Sequence, residues 1–416
     1  MQLKRVVITG IGALTPIGNT LSEYWAGLKA GTSGAAPITR FDASLFKTRF
    51  ACELKGYDPS KFMDRKESRK LDPSTQYALV AVDEAIRHSG LDVEKVNHDR
   101  VGVIWGSGIG GLLTFQEEVK AFAKGDGTPR FNPFFIPKMI PDISAGHISI
   151  KYGFRGPNYA VVSACATSTH AIYDAYTHLR LGKADVFVTG GSEAAVCEAG
   201  VGGFNAMKAL SERNDSPATA SRPYDKDRDG FVLGEGAGAL ILEEYEFAKA
   251  RGAKIYAEIV GGGMSADAYH ITAPHPEGAG ITKVMHYALE DAGLKPSDID
   301  YINTHGTSTP LGDLGEIKAI QQVFGDHATK MNISSTKSMT GHLLGAAGAI
   351  EVIACLLAIN EGIVPPTINH FTDDEGLDPS LNLTFNKAQN RKVDIALSNT
   401  FGFGGHNASI IIKKHS

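Results

Sequence analysis

The chain has 416 residues, with 41 basic and 46 acidic side chains and a formal charge of −5. Apolar residues at 43 % and charged residues at 21 % give an ordinary globular balance, which excludes a disordered or fibrous chain. The mildly acidic total leaves no bulk electrostatic case for nucleic acid as partner, and the length suits two domains or one large fused α/β body. From Met1 the sequence passes straight into a strand-like run, Lys4 to Thr9, with no signal or transit pattern before it. Val101 to Trp105, Tyr159 to Val162 and Asp185 to Thr189 are short, rich in β-formers and closed by Gly or Ser. They predict strands of a parallel sheet covered on both faces. Ile172, Ala175, Tyr176 and Leu179 fall at i, i+3, i+4 and i+7, one face of a helix that stops at Gly182. The longest apolar run, Leu343 to Ile359, carries Glu351 at its middle and falls short of a membrane span. It reads as a helix buried on all sides.

Glycine is in excess, at 47 residues with no Gly-X-Y period, which predicts many tight turns and close backbone approaches. Cys52, Cys165, Cys197 and Cys355 form no CxxC pair and read as reduced thiols of a cytoplasmic protein. A faint internal repeat organises the rest. Phe231 to Gly238 leads into the strand Ala239–Glu244, and Phe401 to Ala408 leads into Ser409–Lys414. Lys254 to Gly261 echoes Arg5 to Gly10, as if the chain began again. Two halves are expected, residues 1–251 and 252–416, each giving part of one central site.

Ser163-Ala164-Cys165-Ala166-Thr167-Ser168 puts a cysteine where a buried strand meets a helix start. Free amides and the helix dipole favour a thiolate there, and the small neighbours let a carbonyl approach. Cys52, Cys197 and Cys355 read instead as small core residues. Asn303-Thr304-His305-Gly306-Thr307-Ser308-Thr309-Pro310 sets a histidine at the end of an expected strand, Ile299 to Ile302, where α/β proteins place ligands. Ser334 to His342 carries Lys337 and a second histidine after another expected strand, Met331 to Ser335. Cys165, His305 and His342 could also bind zinc, but neither a fourth ligand nor short ligand spacing is present. Catalysis is the better reading. Gly106 to Gly111 matches G-x-G-x-x-G after a strand, yet the acid expected about 20 residues on is missing. A close-packed turn beside the site explains those glycines as well as a dinucleotide does.

These blocks, together with Thr336 to Gly348 and Phe401-Gly402-Phe403-Gly404-Gly405, resemble the signatures of β-ketoacyl-(acyl-carrier-protein) synthases, in order and along the whole chain. The Cys/His/His set resembles types I and II, and the contexts of Cys165 and Lys337 look most like type II. His406 departs from the pattern, since many relatives carry Thr after the glycine pair. The resemblance implies an α/β thiolase fold, two duplicated halves in five αβαβα layers, as a homodimer. It implies that Cys165 takes an acyl chain from acyl carrier protein and that malonyl-carrier protein then loses carbon dioxide and condenses with it, with no cofactor required. Backbone N–H groups of Cys165 and Phe403 would form an oxyanion hole, and His305 and His342 would hydrogen-bond the malonyl thioester oxygen. Lys337 would pair with Glu351, with Asp313, Thr307 and Thr309 in support. Ile109, Phe204, Phe401 and Phe403 match positions that line or gate the acyl channel. Asn303, Glu351, Ser398 and Asn399 match a monovalent-cation site that relatives often hold. An acidic carrier calls for a local basic patch, and Arg65, Lys66, Arg69, Lys70, Lys124, Arg130 and Lys208 are the candidates. The rival readings are a type I or polyketide-type ketosynthase, a thiolase, a non-catalytic partner subunit and, from the Gly106 loop alone, a nucleotide-dependent oxidoreductase.

Overall fold

The computed structural model describes residues 3–415. Ten strands form one continuous sheet: β1 (Val6–Leu14), β2 (Val101–Gly106), β3 (Asn158–Val161), β4 (Val186–Glu193), β5 (Gly236–Glu244), β6 (Ala257–Ala266), β7 (Tyr301–Asn303), β8 (Asn332–Ser334), β9 (Ile395–Gly402) and β10 (His406–Lys413). Their order is β8-β7-β9-β10-β6-β1-β5-β4-β2-β3. In the first half β2 runs parallel to β3 and β4, and β5 is antiparallel to β4 and β1. The second half repeats this: β7 is parallel to β8 and β9, and β10 is antiparallel to β9 and β6. Within the sheet, the halves join where Val6–Ile8 pairs with Ala257–Ile259.

Three apolar cores separate five layers. The helix α1 (Pro73–Ser89) is opened by Asp72, whose side chain accepts the Ser74 N–H, and closed by Gly90 at φ 59°. With α3 (Ile143–Tyr152) it covers Val186, Val188 and Ile241 from outside. At the far side α6 (Ala279–Ala292) and α7 (Pro310–Phe324) cover Ile302, Leu397 and Ile411. Between the two sheet halves lie α4 (Thr167–Arg180) and α8 (Ala347–Glu361), packed on Phe187, Leu240, Leu242, Ile410 and Ile412. Alternate residues of one strand thus face different cores, as the pleat requires. This is the αβαβα order of the thiolase fold.

The repeat extends to single glycines. A Cβ on Gly10 or Gly12 of β1 would run into the Ala85 and Ala81 carbonyls of α1, and one on Gly261 or Gly263 of β6 would meet the Ala288 and Val284 carbonyls of α6. Close helix approach at matching places explains both glycine pairs. It also explains a difference from the sequence expectation. The strand proposed for Lys254–Gly261 starts only at Ala257 and continues through the glycines to Ala266. The segment Leu344–Glu361, of mean hydropathy 1.6, is long and apolar enough to cross a membrane. Here it is 83 % buried inside the protein, between the sheet halves.

Candidate active site

Cys165, the expected nucleophile, stands on a strained turn. A three-residue 3-10 turn, Ala164–Ala166, precedes α4, and Ala164 holds φ at 51°, an uncommon conformation for a residue with a Cβ. This turn lifts the Cys165 side chain out of the helix toward the second half. His342 Nε2 lies 2.9 Å from Cys165 Sγ. The Phe403 N–H, from the loop joining β9 to β10, favours the ionised form of the same sulfur. A Cβ on Gly402 would come within 2.8 Å of the Ser163 oxygen and 3.0 Å of the Cys165 nitrogen, so this position requires glycine. Beneath the cysteine lies an apolar cluster that includes Val196, Val201, Phe231, Leu233 and Leu344.

The helix start does not hold a resting thiolate, and that expectation is corrected. Loss of water pushes the Cys165 thiol up to about 12, against the opposing Lys337 charge and the Phe403 N–H. Burial first, and the Lys337 charge second, hold His305 and His342 well below the ordinary histidine range. Both imidazoles are neutral at pH 7, and each has one N–H to donate. Their rings meet edge to face at 5.2 Å. The His305 and His342 Nδ1 atoms are buried without a partner. The ligand atoms of Cys165, His305 and His342 lie within 4.8 Å of one another, but neither imidazole has the acceptor that orients a metal-bound histidine. The trio is better arranged to meet a carbonyl oxygen.

Lys337 is buried in a single helical turn, Lys337–Thr340, with its Nζ on Glu351 Oε1 of α8. Burial pushes the Glu351 carboxyl up to about 7, and Lys337 opposes that rise. Glu351 Oε2, Asn303 Oδ1 and Ser398 Oγ are buried without hydrogen-bond partners, and Asn303 and Ser398 are register neighbours on β7 and β9. Three oxygens of the expected cation set are thus left unpaired. The Asn399 side chain instead accepts from Ser409 at 2.6 Å and turns its amide toward Met285 and Glu316. The set therefore fits a cation through Asn303, Ser398 and Glu351, without the Asn399 side chain.

The remaining expected residues fall into distinct places. Asp313 is buried, accepts the Tyr224 and Ser308 N–H groups and faces Arg228 at 3.4 Å, so it braces the His305 loop from behind. Burial pushes its carboxyl up to about 6. Thr307 and Thr309 bond each other at 3.1 Å. Phe401 packs on His305, and Phe204 packs edge to face on Phe231, within the apolar cluster under Cys165. Ile109 is 38 % exposed and lies outside that cluster. Arg65, Lys66 and Arg69 are exposed on the short helix Arg65–Ser68 and its end. Lys138 reaches the Arg69 carbonyl, and Lys70 lies over the Phe134 ring. Lys124 ends α2 (Leu112–Lys124), Arg130 faces Asp126, and Lys208 follows α5 (Glu198–Ala206). Two carboxylates escaped the sequence reading. Glu316 accepts the His305 and Gly306 N–H groups at 2.9 Å each, and its place three residues after Asp313 on one helix face was the available signal. Glu193, at the end of β4, accepts N–H groups from Gly108, Ile109 and Gly345.

Similarity to known proteins agrees with this geometry. Residues 3–248 match the family described as beta-ketoacyl synthase, N-terminal domain, and residues 256–371 the C-terminal domain. Proteins named 3-oxoacyl-(acyl-carrier-protein) synthase 2 are 50 % identical over 417 residues in Synechocystis sp. and 49 % over 414 residues in Coxiella burnetii, each covering 100 % of this chain and 99 % of the relative. Among solved structures, a β-ketoacyl synthase from Burkholderia phymatum superposes with a TM-score of 0.92 at 36 % identity, covering 99 % of this chain and 100 % of that one. A type II PKS acyl-carrier protein in complex with its ketosynthase matches with a TM-score of 0.91 at 33 % identity, over 100 % of both chains. With matching profiles over both halves and full-length relatives at half identity, the chain belongs to the β-ketoacyl synthase family.

Proposed function

We propose that the chain is a type II β-ketoacyl-(acyl-carrier-protein) synthase, which extends fatty acyl chains by decarboxylative condensation. The observation that carries this reading is Cys165 Sγ at 2.9 Å from His342 Nε2, beside a second neutral imidazole. Cys165 sulfur attacks the acyl thioester of the carrier's phosphopantetheine arm, and its proton passes to the departing carrier thiolate. N–H groups of Cys165 and Phe403 hold the oxyanion, each donor worth about 3 kcal/mol. Malonyl-carrier protein then binds with its thioester oxygen on the His305 and His342 N–H donors. Its carboxylate leaves as carbon dioxide, and the enolate carbon attacks the acyl-Cys165 carbonyl. The Cys165 thiolate departs and takes up a proton. Decarboxylation supplies the carbanion, so the chemistry requires no cofactor.

In this reading the halves 1–251 and 252–416 contribute the nucleophile and the two histidines with Lys337 respectively. Phe204 and Phe401 flank the acyl chain, Ile109 stands at its mouth, and the Phe403 loop moves to admit it. Asn303, Ser398 and Glu351 hold a monovalent cation that braces β7, β9 and α8. The acidic carrier docks on Arg65, Lys66, Arg69, Lys124, Arg130 and Lys208. The protein works in the cytoplasm, and it does so as a homodimer; the dimer is supported by the unpaired edge of β3 and by Phe131, Phe134 and Ile136, exposed at 40 %, 45 % and 54 %. Intact-mass spectrometry with long-chain acyl-carrier protein tests the activity. The mass of one acyl group is gained by the protein, is absent in Cys165→Ala and is discharged by malonyl-carrier protein. No gain would remove Cys165 as acceptor and leave a non-catalytic subunit.

A further inference from the structure

The two halves end their third strands alike. After β3 comes the turn Ala164–Ala166 and then α4; after β8 comes the chain to Leu344–Ala346 and then α8. The first residue of each turn has a positive φ, 51° at Ala164 and 48° at Leu344. By position, the counterpart of Cys165 is therefore Gly345. The strands that reach over these turns are counterparts too: β9 leads to the Phe403 N–H above Cys165, and β4 ends in Glu193 above Gly345.

Glu193 is fully buried. Its Oε2 accepts the Gly345 N–H at 3.0 Å and the Gly108 N–H at 2.9 Å, and its Oε1 accepts the Ile109 N–H at 3.2 Å. Ser107 Oγ lies 3.5 Å from Oε1 and accepts the Gly110 N–H at 3.1 Å. A Cβ on Gly108 would come within 2.7 Å of Glu193 Oε2, and one on Gly345 would strike the Gly108 nitrogen. The G-x-G-x-x-G loop is thus an anion cradle, and the anion it holds is internal to the protein. Burial pushes this carboxyl up to about 7 while the backbone donors oppose the rise.

We infer that Glu193 is a positioning residue of the condensation: its carboxylate fills the second half's counterpart of the Cys165 anion hole and pins the Gly106–Gly111 loop, with Ile109, to the turn between His342 and α8. One carboxylate thereby couples the mouth of the acyl channel to the segment that carries a catalytic histidine. The inference rests on the condensing activity proposed above and on Ile109 standing at the mouth of the acyl channel. Releasing the clamp lets Ile109 shift relative to Cys165, so the enzyme loses its discrimination among acyl lengths before it loses its chemistry.

The test compares wild type, Glu193→Gln and Glu193→Ala in acylation of Cys165 by carrier proteins bearing short and long chains. Glu193→Gln keeps the side-chain volume but turns an NH2 group toward backbone donors. It is expected to change the long-to-short ratio of kcat/KM by tenfold or more, with near-native far-UV circular dichroism. In Glu193→Ala, added formate is expected to restore the native ratio by entering the vacated cradle, while chloride at equal ionic strength is not. An unchanged ratio in a folded Glu193→Gln, or equal loss at every length without formate rescue, overturns the inference and leaves a merely structural carboxylate. Failure of the wild type to acylate at all would instead refute the proposed activity, so the two failures are separable.

Discussion

In the proposed mechanism, replacing His305 by Ala is expected to separate the two half-reactions. His342 Nε2, not His305, is the imidazole nitrogen bonded to Cys165 Sγ, at 2.9 Å. Removing the His305 ring therefore leaves the nucleophile's contact in place. The loop survives as well, because the bond that fixes it is the His305 backbone N–H on Glu316 at 2.9 Å, which alanine retains. What disappears is one of two neutral N–H donors to the developing enolate. A donor aimed at charge that builds in the transition state is worth about 3 kcal/mol, so condensation should slow by about 100- to 1,000-fold. Acylation of Cys165 should stay within about threefold of wild type, a change of less than 1 kcal/mol. Rapid-quench intact-mass spectrometry reads the first step, and release of labelled carbon dioxide from malonyl-carrier protein reads the second. If both steps fall together, the division of labour drawn from the 2.9 Å contact is wrong.

Three other outcomes follow from buried charge and exposed charge. Lys337→Met leaves Glu351 alone in a fully buried position, and should cost about 3–5 kcal/mol in urea unfolding, with most of it regained when Glu351→Leu is added. Glu235 is buried beside Arg40, and burial pushes its carboxyl up from 4.5 to about 7. Between those values the folded state keeps a proton that the unfolded state has lost, so its contribution to stability falls as pH rises, by up to about 1.4 kcal/mol per pH unit. Glu235→Gln should therefore flatten the unfolding free energy measured from about pH 5 to pH 7, and an unchanged slope would refute the assignment. The double change Arg65→Glu and Lys66→Glu should raise KM for carrier-bound substrates severalfold while small thioester mimics react as before. Equal losses for both substrates would make the patch structural.

Much of the candidate site is legible in the sequence because its residues follow strand ends marked by Gly, Ser and Thr. Cys165, His305 and His342 each follow a strand within such a turn, and the three meet in space. The layer order is legible for a similar reason, since the strands are continuous apolar runs and the echo between Arg5–Gly10 and Lys254–Gly261 points to two equivalent halves. What could not be read depends on burial. A helix start next to Cys165 suggests a thiolate, but the cost of removing water from the sulfur exceeds the stabilisation from Lys337 and from the Phe403 N–H. The Gly106–Gly111 loop suggests a phosphate because its amides do face an anion, and no local pattern says that the anion comes from Glu193, more than 80 residues away. Likewise the glycines of β6 look like a strand end until α6 is seen to press on them.

The duplicated halves also explain why the protein has one reactive centre and not two. Both halves build the same strained turn before a central helix, with Ala164 and Leu344 holding positive φ. Turns of this kind present backbone N–H groups, and a buried N–H without an acceptor is costly. In the proposed mechanism, the hole of the first half is completed by a substrate oxyanion. In the second half Glu193 satisfies the donors permanently, with Gly345 leaving no side chain to react. The second half thus satisfies its own turn and places His342 against Cys165 of the first. His342 leads directly into that turn, so a chain that filled the second hole with a mobile ligand would also loosen the histidine facing Cys165. An internal carboxylate holds it fixed.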